Sequence, residues 1–218
     1  MVTGRARYTF GLESVTALTE SELIEALRAK SEIALRQLIQ DYSDRVYNVV
    51  LNLVQNKEDA EELYSDVFLE VFQSISKFRD GSSLYTWVYR IAVNKSLDHL
   101  RKKKRKKRLA SIFSLSFLQE ERGLEPAHFD HPGVLLEQKE NAALFYAALN
   151  QLPERQKAAY VLRHIEGRSQ PEIAEILETS VSSVESLLSR SKAGLKKIVS
   201  NHFHFSEGNR KNKRPNNK

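Results

Sequence analysis

Apolar residues recur every three or four positions along most of the chain, which is the period of amphipathic α-helices. In the first hundred residues the pattern predicts four helices. The first two are separated by a break at Lys30, and the second of them ends near Val54. The third begins after Asn56, and the fourth runs from about Leu84 to His99. Asn56 is expected to cap the third helix, because acidic residues fill the turns that follow it. The pattern therefore predicts an all-α fold.

The helical pattern stops between residues 109 and 135, where glycine and proline interrupt short apolar stretches. We interpret this stretch as a flexible linker between two small helical domains. The predicted division is a flexible N-terminus at 1–20, a first domain at 21–108, the linker at 109–135, a second domain at 136–200 and a basic disordered tail at 201–218.

The second domain has the layout of a helix-turn-helix, in which a short helix, a tight turn and a longer helix follow one another. A capping-box sequence at Ser169 starts the short helix, and the long helix begins near Val181. In this layout one set of residues on the long helix lies at the major groove or near phosphates: Ser182, Ser183, Glu185, Ser186, Ser189, Arg190 and Lys192. An ordinary αα-hairpin has the same spacing and is the alternative on this pattern alone.

Positive charge is concentrated in two places. The formal net charge is +6, eight consecutive Lys and Arg residues fill 101–108, and further basic residues follow Gly208. Elsewhere acidic residues outnumber basic ones, so the patches predict a polyanionic partner. Nucleic acid is favoured over a membrane surface, because no amphipathic helix with one basic and one bulky apolar face accompanies the patches.

The residue types that are missing exclude several classes of function. The chain has no cysteine, which excludes disulfides, thiolate zinc sites and cysteine nucleophiles. No apolar stretch could span a bilayer and no secretory signal opens the chain, so we expect a cytoplasmic protein without membrane insertion. His128 and His131 are an isolated pair without companion ligands. Without a carboxylate/histidine constellation or a phosphate-binding glycine loop, we expect no enzyme activity, cofactor or metal.

The segment 78–108 joins an aromatic cluster, Tyr85, Trp87 and Tyr89, to the basic run. Aromatic faces stack on unpaired bases at about 1–3 kcal/mol per base, and cations neutralise phosphates. The segment therefore suits a protein that holds single-stranded nucleic acid. Taken alone, a core role for the aromatic residues and a solvated basic linker explain it equally well.

The third predicted helix carries an acidic face that includes Asp59, Glu62, Asp66 and Glu70. Three interpretations are open: a solvated surface, a docking site for a basic partner helix, and a carboxylate metal or acid/base site. The third is disfavoured, because no histidine or second carboxylate cluster accompanies the face.

Three segments of the chain resemble the bacterial RNA polymerase sigma factors, specifically the small two-domain extracytoplasmic-function (ECF) class. They are DAEELYSDVFLEVF at 59–72, FRDGSSLYTWVYRIAVNKSLDHLRKKKR at 78–105 and LPERQKAAYVLRHIEGRSQPEIAEILETSVSSVESLLSRSKAGLKK at 152–197. They occur in the family's order, and the linker has a suitable length. The resemblance implies a promoter-specificity subunit that binds core RNA polymerase, recognises the −35 and −10 promoter elements and promotes DNA melting.

The resemblance also implies which residues make these contacts. The acidic helix would dock on the β′ clamp helices of core polymerase through Asp59, Glu62, Asp66 and Glu70. The −10 element would be captured by Phe78, Arg79, Ser82, Ser83, Tyr85, Trp87, Arg90, Asn94, Lys95, Asp98 and Arg101. The helix-turn-helix would bind the −35 element, and the β flap and an anti-sigma factor would be further partners.

Some positions depart from the family's pattern. Ser65 stands where members usually have Gln, and Val88 stands where primary sigma factors have a second Trp. Glu185 and Leu187 occupy positions where basic residues are common, so no −35 sequence can be carried over. The alternative function is a stand-alone helix-turn-helix repressor or activator, which would need neither the acidic face nor the aromatic loop.

Overall fold

The structure is a computed structural model that describes residues 18–79, 81–113 and 139–212. Within these ranges all regular structure is helical, which confirms the predicted all-α fold. The helices are α1 (Glu20–Arg28), α2 (Glu32–Val54), α3 (Lys57–Ser74), α4 (Leu84–Phe113), α5 (Lys139–Gln151), α6 (Glu154–Tyr160), α7 (Gln170–Ile176) and α8 (Val181–Asn212). A 3-10 turn (Ile75–Lys77) follows α3, and a π-helical segment (Val161–Ile165) continues α6. His128 and His131 lie outside the described residues.

Helix boundaries follow the local capping signals in the sequence. Oδ1 of Asn56 accepts a hydrogen bond from the backbone amide of Asp59 at 2.7 Å, as expected of a cap. Ser169 and Glu172 form a complete capping box at the start of α7. The break between α1 and α2 falls at Lys30, which has a left-handed φ of 61°. Such side-chain caps each stabilise a helix end by about 1 kcal/mol.

Helices α1 to α4 form a first bundle, in which α2 packs against both α3 and α4. The centre of this bundle consists of fully buried side chains: Leu27, Leu38, Val50, Val67, Ile75, Val88 and Tyr89. A carboxylate oxygen of Glu20 accepts a hydrogen bond from the backbone amide of Leu84 at 3.2 Å and ties α1 to the start of α4. The bundle thereby places α3 and α4 side by side.

Helices α5 to α8 form a second bundle, in which α6 and α7 pack on α8. A methyl group on Gly194 would lie 2.8 Å from Cδ2 of Leu152, so a larger residue at this close approach of α8 would require the Leu152 side chain to shift. The turn between α7 and α8 passes through Glu178, whose φ is 50°, and the amide of Thr179 donates back to the carbonyl of Ala174 at 2.9 Å. This geometry confirms the predicted helix-turn-helix.

Helix α4 is longer than the sequence pattern indicates, because it continues past His99 to Phe113. Its basic run is therefore helical rather than part of a linker, and the side chains of 101–108 are exposed. Lys and Arg are good helix formers, and neither glycine nor proline interrupts the run. The end of the apolar stripe at His99 marks where α4 leaves the core, not where the helix ends.

The two bundles are in direct contact. Helix α4 packs against α6 and α7, and α2 packs against the π-helical segment. Polar side chains from both bundles form hydrogen bonds across this contact or next to it: Asn52, Gln55, Tyr89, Tyr146, Asn150, Lys157 and Glu166.

Candidate polymerase and promoter interfaces

The acidic face of α3 is defined by Asp59, Glu62, Asp66 and Glu70, which follow one another at helical spacing. Glu62 is exposed and Asp66 is half-buried. Among the described residues, neither of these two carboxylates makes a salt bridge. They line a groove of about 520 Å³ between α3 and α4, whose other wall carries Lys95, Lys102 and Lys106.

Asp59 is held differently from the other members of the acidic face. Its Oδ2 lies 2.7 Å from Nζ of Lys103 and 3.1 Å from Nε2 of His99, both on α4. Burial would raise the pKa of Asp59, but the hydrogen bond and charge of Lys103, together with His99, outweigh it and lower the pKa. Glu70 lies 3.8 Å from Nζ of Lys95. Two of the four predicted docking residues thus also contact α4.

His99 and Lys103 are functional-site neighbours that the sequence analysis missed. Lys95, His99 and Lys103 lie four residues apart, so they share one side of α4 once the helix continues through the basic run. This four-residue spacing could have identified His99 and Lys103 from the sequence. It was overlooked because the predicted helix ended at His99.

The loop before α4 holds one predicted −10 residue in the core and others at the surface. Phe78 is only 4% exposed and packs edge-on against Trp87, with ring centroids 5.4 Å apart. Trp87 is half-buried, and Arg79 is exposed. Ser82 is half-buried. Oγ of Ser83 accepts a hydrogen bond from the backbone amide of Thr86 at 3.1 Å and so caps the start of α4. The Phe78 ring therefore supports Trp87 from inside the bundle.

The predicted −10 residues of α4 divide between different sides of the helix. Trp87, Arg90, Asn94, Asp98 and Arg101 follow one another at spacings of three or four, which places them on one side. We call this side the −10 face. Asn94 is exposed at its centre, and Asp98 pairs with Arg101 at 2.8 Å. Lys95 lies off this side, where it approaches α3.

Tyr85 lies on another side of α4, against Tyr89 at a centroid distance of 4.4 Å. Two guanidinium groups that the sequence analysis did not single out lie near its ring. The Cζ atom of Arg45 is 5.7 Å from the ring centroid of Tyr85, and that of Arg168 is 4.9 Å away. Burial raises the pKa of the Tyr85 hydroxyl above its ordinary value, and the charges of Arg168 and Arg45 offset only part of this rise. The aromatic cluster is therefore split, with Trp87 and Tyr85 on different sides.

The predicted −35 residues lie together on α8. Most of their side chains are exposed: Ser182, Glu185, Ser186, Ser189, Arg190 and Lys192. Ser183 is half-buried, and its backbone amide donates to Oγ of Ser180 at 3.2 Å, so that Ser180 caps the helix. Val184 and Leu188 are buried against the bundle. The first turns of α8, which is the second helix of the helix-turn-helix, thus present a polar side to solvent.

Over residues 18–79, 81–113 and 139–212, no cluster of three or more His, Asp or Glu side chains could hold a metal ion. Across the same ranges no helix combines the length and the apolar character that a membrane crossing requires.

Family models match both bundles. The model for sigma-70 region 2 matches residues 38–106, and the model for sigma-70 region 4 matches residues 142–195. Together they span more than half of the chain and contain the −10 face and the helix-turn-helix. A stand-alone repressor or activator is not favoured, because such a protein has no need of a region 2.

Similar proteins agree with the family models. The chain is 29% identical over 175 residues to the ECF RNA polymerase sigma-E factor of Haemophilus influenzae, covering 80% of this chain and 92% of the relative. CnrH in complex with the cytosolic domain of CnrY has a similar fold, with a TM-score of 0.57 at 21% identity over 83% of this chain and 97% of CnrH. The sigma factor RpoE of Bartonella quintana, in complex with the anti-sigma factor NepR, gives a TM-score of 0.54 at 22% identity over 76% of this chain and 96% of RpoE.

These findings lead to one assignment. Two region models match in the family's order, a sigma-E relative is matched over most of its length, and the fold is shared. The chain belongs to the sigma-70 family, in its ECF class, and is a promoter-recognition sigma subunit of RNA polymerase.

Proposed function

We propose that the chain divides its work among three surfaces. The acidic face of α3 docks on the β′ clamp helices of core polymerase, the −10 face of α4 holds the separated −10 strand, and α8 anchors the complex on duplex DNA at −35. The β flap is a further contact of the second bundle. We expect the chain to act without an active site or cofactor of its own, and we expect it in the cytoplasm.

The docking role of α3 is supported by the chemistry of its surface. Glu62 and Asp66 have carboxylates free to accept charge-assisted hydrogen bonds from arginine on a partner helix. Leu69 lies three residues beyond Asp66 on a neighbouring side of α3 and is 54% exposed, one of the large apolar side chains that the first bundle leaves open. An apolar residue next to carboxylates suits a helix that packs on another helix and pairs with its charges.

The −10 role of α4 is supported above all by the row of Arg90, Asn94 and Asp98, spaced four residues apart with Asn94 exposed between the other two. An amide can form two hydrogen bonds with a base edge, and a cation beside it can contact phosphate. Trp87 lies at the N-terminal end of the same side of α4, where its half-buried ring offers an aromatic edge next to the loop that precedes the helix.

Melting follows from binding alone in this mechanism. Opening a base step costs a few kcal/mol, and each unpaired base stacked on an aromatic ring returns about 1–3 kcal/mol. Contacts that exist only with the separated strand therefore shift the equilibrium towards the open complex. No nucleotide hydrolysis is required.

We also propose an anti-sigma factor as a partner. Of two proteins with a similar fold, CnrH is in complex with the cytosolic domain of CnrY, and the sigma factor RpoE is in complex with the anti-sigma factor NepR. The fold likeness supports the class of partner and does not identify it.

Replacing Asn94 with alanine is expected to reduce open-complex formation about tenfold, since a two-bond contact to a base is worth about 1–3 kcal/mol. Affinity for core polymerase should stay unchanged, because Asn94 is not on α3. Permanganate footprinting of the −10 region and a core-binding titration measure the two effects separately. Asn201→Ala, an exposed asparagine on α8, is the matched control. Equal footprints for Asn94→Ala and the unmodified chain would contradict the role of the −10 face.

A further inference from the structure

The first two turns of α8 carry a single charged side chain, Glu185. The cations of the helix all come later in the chain: Arg190, Lys192, Lys196 and Lys197. In a helix-turn-helix the N-terminal residues of the second helix contact base edges, and cations beside them contact phosphates. Glu185 therefore lies in the part of α8 that would meet bases, where a carboxylate repels DNA unless it finds a donor.

Nothing within the protein accounts for this carboxylate. Glu185 is exposed, and among the described residues it makes no hydrogen bond or salt bridge. Its neighbours at helical spacing carry no charge, which excludes an ion pair along the helix: Val181, Ser182, Leu188 and Ser189. Glu185 is the fifth residue of α8 and lies beyond the first turn, where the helix dipole stabilises negative charge.

The polar groups around Glu185 reach less far from the helix. Oγ of Ser180 lies 3.0 Å from Oγ of Ser182 and 2.8 Å from Oγ of Ser183, so these hydroxyls are paired with one another. Ser186 is exposed, but its side chain is short. Among the exposed side chains of the first two turns, that of Glu185 is therefore the longest and the one that enters a groove first.

An exposed apolar side chain lies beside the carboxylate. Val181 is 40% exposed and precedes Glu185 by four residues, which places both on the same side of α8. Val184 and Leu188 are buried and fill the core side of the helix instead. The start of α8 thus presents a hydrogen-bond acceptor next to an apolar surface.

The four bases differ in how well they fit such a surface. In the major groove guanine and thymine present oxygen acceptors, which repel a carboxylate, whereas cytosine and adenine present an amino group. The amino group of adenine lies between two acceptors, its own N7 and O4 of the paired thymine. That of cytosine has an acceptor on one side only, O6 of the paired guanine, and the apolar C5 edge on the other. Cytosine therefore complements Glu185 and Val181 best.

We propose that Glu185 determines specificity in the −35 contact, by accepting a hydrogen bond from the amino group of one cytosine while Val181 packs against the C5 edge of the same base. This inference rests on the −35 role proposed for α8 and adds a base to it. Because the carboxylate also repels phosphates and the acceptors of other bases, it weakens binding to sites that lack the cytosine. Specificity at this position thus comes from repulsion as well as attraction.

Transcription by core polymerase with the full chain tests the inference, on a promoter selected with the unmodified chain from a randomised library. Each base pair of the −35 element is replaced in turn by the other three, and initial rates give the preference at every position. We expect one position at which cytosine on one strand is favoured about tenfold, the usual effect of a single wrong base pair. Glu185→Ala should remove most of this preference and leave the other positions unchanged.

Glu185→Gln should alter the preference rather than remove it. An amide side chain pairs with adenine by accepting from N6 and donating to N7. At the same position the favoured base should therefore change from cytosine to adenine on the same strand. Glu175→Gln is the matched control, because Glu175 is exposed on the preceding helix of the helix-turn-helix and its replacement removes the same charge. This control should leave every base preference as it is.

The outcomes separate the inference from the proposed function. Identical preferences for both Glu185 variants and the unmodified chain would overturn the inference and leave the −35 role of α8 in place. A change confined to a position where the unmodified chain favours an A·T pair would also overturn it, since the carboxylate would then not contact cytosine. If the unmodified chain shows no preference at any −35 position, the proposed role of α8 fails and the inference fails with it.

Discussion

Replacing Glu62 and Asp66 together with lysine is expected to reduce the affinity for core RNA polymerase at least about a hundredfold. Charge-assisted hydrogen bonds each contribute about 1.5–3 kcal/mol, and tenfold in affinity corresponds to about 1.4 kcal/mol. The substitution removes two such acceptors and adds repulsion against a basic partner helix. The effect should be specific, because both side chains reach the surface of α3 without supporting its core.

A titration of labelled core polymerase with the variant measures this loss directly. Glu58→Lys with Glu61→Lys provides a control with the same change in net charge on a neighbouring, exposed side of α3. Circular dichroism should show equal helicity for both variants. Core affinity that survives the Glu62 and Asp66 substitutions would show that α3 does not carry the docking surface.

The second large effect concerns stability and its dependence on pH. Lys157 is only 2% exposed, and its Nζ donates to Oδ1 of Asn150 at 2.6 Å. Burial, with a smaller contribution from the charge of Lys104, lowers the pKa of Lys157 to about 7 from its ordinary value of 10.5. Between these values the unfolded chain binds a proton that the folded chain does not. The contribution of Lys157 to the free energy of unfolding therefore rises with pH across this window.

We expect the stability of the unmodified chain, relative to Lys157→Met, to increase by about 3 kcal/mol between pH 7 and about pH 9.5. Urea unfolding followed by circular dichroism at several pH values gives this difference. Lys196→Met, an exposed lysine on α8, should leave the pH dependence as it is. Parallel stability curves for Lys157→Met and the unmodified chain would contradict a buried lysine with a lowered pKa.

The sequence predicts those parts of the fold that depend on neighbouring residues. The caps at Asn56 and Ser169 and the break at Lys30 were predictable, because each depends on a side chain and the backbone within one turn. The two bundles follow from apolar periodicity. The end of α4 was missed, since its last turns are held by helix propensity and by ion pairs rather than by an apolar stripe.

Sequence spacing indicates which residues share a side of a helix, but it does not indicate which of them are exposed. Sequence spacing places Arg90, Asn94 and Asp98 together, but it cannot tell that Phe78 enters the core while Trp87 stays half-exposed. Aromatic residues in one loop look alike until packing decides which ring is buried. Which residues touch DNA stays a prediction.

The sequence pattern could not predict the contact between the two bundles. Asn52 and Glu166 are 114 residues apart, and neither belongs to an apolar stripe that indicates a partner. Their pairing depends on how two separately folded units meet. A segment interpreted as a flexible linker carries no information about that arrangement.

Transcription by core polymerase with this chain over a library of randomised promoters tests the central claim most directly. We expect transcribed templates to be enriched in two separate sequence elements, one at −10 and one at −35. Asn94→Ala should weaken the selection at −10 and leave the selection at −35 intact. Transcription without any selected element, or selection at a single element that Asn94→Ala leaves unaltered, would contradict it.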